Sequence, residues 1–127
     1  YRLLVVEDNG SEVVLIGEAF AAMEVPVELE HVKTGAQALA CMRADSAWRR
    51  PKLALIDYLL PDFRGTELAN RLAGDSQYGN PRIILMSGYA PCTRKGQWEE
   101  WLEKPTTWNG WQLFARNLFR RLQADEI

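Results

Sequence analysis

Short, continuous apolar runs alternate along the chain with stretches in which apolar residues recur at helical spacing. Leu3-Leu4-Val5-Val6, Leu53-Ala54-Leu55-Ile56 and Ile83-Ile84-Leu85-Met86 are unbroken fours, the pattern of strands covered on both faces, as in a parallel sheet. Val27 to Val32 alternates apolar and polar residues, which predicts a strand with one wet face. Trp101-Leu102-Glu103 is a fifth, shorter candidate. Between the runs, Val13, Ile16, Phe20 and Met23 predict a helix over 12–23, with Ser11 as its N-cap and Pro26 beyond its end. Ala36 to Met42, with Leu39 in its stripe, predicts a second helix, and Thr66 to Leu72 a third through Leu68 and Leu72. Trp111, Phe114, Leu118 and Leu122 predict a last helix ending near Gln123. From Tyr89 to Glu100 no such stripe can be drawn, and Pro91 and Gly96 interrupt the segment. Strand and helix thus alternate five times with one abbreviated crossover, which predicts an α/β domain built on a doubly wound parallel sheet.

The polar residues that end the apolar runs carry the chemistry. The first run ends in Glu7-Asp8, the central one in Asp57 and the next in Ser87-Gly88, while Lys104-Pro105 follows the fifth element. Parallel neighbours gather these residues at the carboxyl edge of the sheet, where open α/β sheets bind ligands. A single Asp after a strand ordinarily just opens a turn. Three carboxylates facing one amine and one hydroxyl make a site, because uncompensated like charges repel strongly.

The ordered set of an acidic pair, Asp57, Ser87 and Lys104-Pro105 resembles the receiver domain of two-component response regulators, over nearly the whole of 1–127 as one domain. The resemblance implies a flavodoxin-like fold with five strands in the order 2-1-3-4-5. Receivers usually carry a fourth helix after Ser87, and here the shorter interval from Ser87 to Lys104 leaves it short or missing. It implies that Asp57 accepts a phosphoryl group from a histidine kinase or a phosphotransfer protein. Mg2+ would be held by Asp8, Asp57 and the Leu59 carbonyl, with Glu7 acting through a water. Lys104 and Ser87 would meet the phosphoryl oxygens, and Ser87 with Trp101 would form the switch that carries the signal outward. Leu59 and Tyr89 would flank the pocket and shield the acyl phosphate from water. Such a protein is a cytoplasmic signalling module rather than an enzyme.

Composition narrows the alternatives. A 127-residue chain suits one core, and a net charge of −2 gives no reason to expect nucleic-acid binding. No run approaches the length of a membrane span. Cys41 and Cys92 lack metal-ligand spacing and read as free thiols of a reducing compartment. The lone His31 assembles no Ser/His/Asp triad. A phosphatase with an Asp nucleophile would want a second Asp where Leu59 stands. The remaining alternative is a receiver-like interaction module that works without phosphorylation. Trp98, Trp101, Trp108 and Trp111 either offer an apolar surface to a partner or a second copy in a homodimer, or fill the volume left by the short crossover.

Overall fold

The computed structural model describes residues 1–44, 50–89 and 96–124. Five strands, β1 (Arg2–Val6), β2 (Glu28–Val32), β3 (Leu53–Asp57), β4 (Arg82–Ser87) and β5 (Glu100–Glu103), form one parallel sheet in the order β2-β1-β3-β4-β5. Helices α1 (Gly10–Met23) and α4 (Trp108–Gln123) cover one face, while α2 (Gly35–Ala44) and α3 (Gly65–Ala73) cover the other. The doubly wound sheet and its strand order are those expected from the sequence.

Alternation along the central strands builds two cores. Leu3, Val5, Leu53, Leu55, Ile84 and Met86 face α1 and α4, whereas Leu4, Val6, Ala54, Ile56, Ile83 and Leu85 face α2 and α3. Each large aliphatic side chain contributes about 1.5–3 kcal/mol when fully buried. A one-residue slip would send every one of them to the opposite layer, so the register is strongly specified. That register sets where each strand ends.

Local capping moves several boundaries. Asn9, not Ser11, caps α1: its side chain accepts from the Ser11 N–H at 3.0 Å, and the helix starts two residues earlier than predicted. Both residue types serve as caps, and the periodic stripe does not tell them apart. The helix stops at Glu24, which is left-handed at φ 57°, before Pro26 is reached. The short or missing fourth helix falls mostly on residues 90–95, which lie outside the described residues, as does Cys92. On either side of that stretch, 88–89 and 96–99 are not helical.

Trp98 and Trp101 pack edge to face at 5.9 Å against the α2–α3 core, beside β4 and β5. Trp111 is buried in the opposite core and Trp108 is exposed at the start of α4. The four tryptophans therefore do not form one surface. Trp98 and Trp101 cover the sheet at β5, while the crossover whose volume they were expected to fill lies outside the described residues.

Candidate functional site

Because the strands are parallel, their carboxyl ends share one edge, and the backbone there is tied together. The Glu7 N–H donates to the Val32 carbonyl at 3.0 Å, Tyr58 to Met86 at 2.8 Å, and Lys104 to Ser87 at 2.7 Å. The loop leaving β3 turns back at once, with Leu59 and Arg64 forming an antiparallel bridge and the Gly65 N–H donating to the Tyr58 carbonyl at 2.7 Å. A Cβ at position 65 would lie 2.6 Å from the Asp57 carbonyl oxygen. Only glycine permits that approach.

The site brings together Glu7 (1% exposed), Asp57 (5%) and Ser87 (3%), with Asp8 at the solvent rim. One carboxylate oxygen from each of Glu7, Asp8 and Asp57 lies within 4.8 Å of the other two. The Lys104 ammonium sits among them, 2.8 Å from Glu7 Oε2 and 3.3 Å from Asp57 Oδ1. The Asn9 N–H donates to Glu7 Oε1 at 3.1 Å. Burial pushes the Glu7 carboxyl up to about 8, and neither Lys104 nor the Asn9 N–H offsets it. Burial also raises Asp57, against the attraction of Lys104 and a hydrogen bond from the Leu59 N–H. Burial alone would lower Lys104, but its carboxylate neighbours reverse that and hold it well above the usual range.

This donor set fits a small divalent cation. Three hard carboxylate oxygens converge, and two belong to buried groups whose proton affinity burial raises, so a cation that stabilises their charged forms is favoured.

Sequence reasoning missed Glu12. Its Oε2 lies 2.8 Å from Lys104 Nζ, so the lysine serves three carboxylates. Glu12 occupies the first turn of α1, the helix that follows β1, and that position was the available signal.

Ser87 Oγ donates to the Tyr89 carbonyl at 3.0 Å and accepts the Trp101 indole N–H at 3.1 Å. Trp101 is half-buried and stacks on Tyr58 at 5.0 Å. The hydroxyl and the aromatic side chain are thus joined directly. Leu59 is 42% exposed, and Tyr89 is 71% exposed, too open to wall off the pocket as expected. His31 is exposed, with Nε2 2.7 Å from the Glu7 carbonyl oxygen, where it supports backbone rather than chemistry. The described peptide bonds include no cis bond, so Lys104–Pro105 is trans.

No family model matches the chain, and no curated protein matches it by sequence. Solved structures match it well. A two-component response regulator from Legionella pneumophila superposes with a TM-score of 0.77 at 22% identity, covering 97% of this chain and 98% of that one. The phosphorylated cyanobacterial phytochrome response regulator RcpA gives 0.74 at 23%, covering 92% and 89%. The Mn2+-bound form of response regulator Rcp1 gives 0.72 at 17%, covering 92% and 90%. The chain has the flavodoxin-like fold of response-regulator receiver domains.

Proposed function

We propose that this chain is the phosphoacceptor receiver domain of a two-component system, taking a phosphoryl group on Asp57 from a histidine kinase or histidine phosphotransfer protein. The observation that carries the reading is the placement of Asp57. It is a buried carboxylate at the end of the central strand, with Glu7 and Asp8 oxygens within 4.8 Å and the Lys104 ammonium at 3.3 Å. An Asp57 carboxylate oxygen forms a bond to phosphorus as the donor's P–N bond breaks. The bond's electron pair returns to the donor imidazole and the product is an acyl phosphate. The transition state is loose, so this chain contributes placement and charge neutralisation rather than acid–base chemistry.

Glu7, Asp8 and Asp57, with the Leu59 carbonyl, would hold Mg2+. When bound, the ion neutralises phosphoryl charge and fixes the reacting oxygens. Lys104 supplies the second cation. Ser87 releases the Tyr89 carbonyl to donate to a phosphoryl oxygen, and Trp101 follows because its N–H is bonded to the same hydroxyl. The signal therefore leaves through β4, β5 and the Trp98–Trp101 pair. We place the protein in the reducing cytoplasm, where Cys41 stays a free thiol. Among the described residues no helix is long and apolar enough to cross a membrane.

Acetyl phosphate with Mg2+ tests the reading. Intact mass should rise by one phosphoryl group, and Asp57→Asn should abolish the gain. No gain in the wild type would point instead to a module that works without phosphorylation.

A further inference from the structure

Lys104 is the cation that the described ion pairs place against the acidic cluster, and it is fully subscribed. Its ammonium lies 2.8 Å from Glu7, 2.8 Å from Glu12 and 3.3 Å from Asp57. An ammonium has three N–H donors, so an incoming phosphoryl oxygen has to displace one of these contacts. Glu7 and Asp57 have other work in the reading above, one toward a cation and the other as acceptor. Glu12 has none. Its Oε2 is buried and makes no hydrogen bond apart from the ion pair with Lys104, and its backbone is fixed in the first turn of α1 by the Glu12 N–H donating to Asn9 at 3.2 Å.

We propose that Glu12 is a positioning residue that acts through Lys104, holding the ammonium in the resting protein so that phosphoryl transfer proceeds by exchange of Glu12 for a phosphoryl oxygen. The proposal rests on the acceptor reading of Asp57. Glu12 has two opposed effects. Its negative charge repels an anionic phosphodonor and competes for Lys104, which slows transfer. The same charge offsets that of the ammonium, so Lys104 competes less with a divalent cation for Glu7 and Asp57, and metal binding is tightened.

Glu12→Gln keeps the shape and an accepting oxygen but removes the charge. Two quantities are measured on the whole protein: Mg2+ affinity, from tryptophan fluorescence, and the rate of labelling by acetyl phosphate at saturating Mg2+. The variant should bind Mg2+ several-fold more weakly yet label several-fold faster, and the rate difference should shrink at high salt. Glu12→Asp, which keeps the charge, should restore the slower rate. A merely structural role would lower affinity and rate together, and that result overturns the proposal. So does a wild-type labelling rate in Glu12→Gln. If the wild type labels and Glu12→Gln does not differ, only the role of Glu12 fails. If the wild type does not label at all, the acceptor reading fails with it.

Discussion

Glu7 shows how one residue ties the stability of this protein to its chemistry. Its carboxyl is almost fully buried, and burial raises its proton affinity to about 8 from an ordinary 4.5. Between those values the folded state holds a proton that the unfolded state has lost, so stability falls as pH rises through the window. Asp57 is raised in the same direction. Glu99, held down mainly by Arg82, acts the opposite way and loses its contribution only as pH falls. Without divalent cations, the melting temperature should therefore decline from about pH 5 to pH 8, and Glu7→Gln should flatten the decline. Mg2+ should restore stability most at the upper end, with release of protons on binding. A melting temperature that climbs across this window without metal would show that Glu7 is ionised in the folded protein.

At the scale of elements, the loop between β3 and α3 carries the burden of placing the site. Asp62 reaches across to the start of α2, accepting from the Gly35 N–H at 2.8 Å and the Ala36 N–H at 2.9 Å. Beside it the Phe63 ring lies so close to Gly35 that a Cβ there would clash at 2.0 Å, and Arg71 covers the ring at 4.6 Å. The loop that presents Leu59 is thus fastened to a neighbouring helix. Asp62→Ala should cost about 1–2 kcal/mol, as loss of a helix cap does. It should also weaken Mg2+ binding, which titration on the folded variant measures. Unchanged affinity would mean the loop holds its shape without the clamp. Such contacts explain what the sequence hid. Four-residue apolar runs expose strands directly, so Glu7, Asp8, Asp57 and Ser87 could be placed at strand ends from pattern alone. Asp62 capping α2 and Glu12 reaching Lys104 join residues far apart in the chain, and no periodicity records either. The Asn9 cap was missed for a different reason, since Asn and Ser compete on nearly equal terms at that position.

Across the whole molecule, the two ends of the sheet are built for different purposes. At the amino end, Arg82 and Arg121 share Glu99, Arg121 also pairs with Glu100, and Arg82 Nη1 donates to the Arg121 carbonyl at 2.7 Å. Charges balance there and tie β4, β5 and α4 together. At the carboxyl end, Glu7, Asp8, Glu12 and Asp57 outnumber Lys104, and burial raises the proton affinity of Glu7 and Asp57, against which a cation would act. The two hydrophobic layers hold β1, β3 and β4 rigid enough to keep this imbalance in place. The central claim is that it serves a single acceptor. Borohydride reduction after acetyl phosphate treatment converts a phosphorylated aspartate to homoserine, and peptide mass mapping then locates it. The account predicts homoserine at position 57 and nowhere else, dependent on Mg2+. Homoserine at position 8, or phosphoryl uptake that leaves Asp57 unreduced, would contradict it.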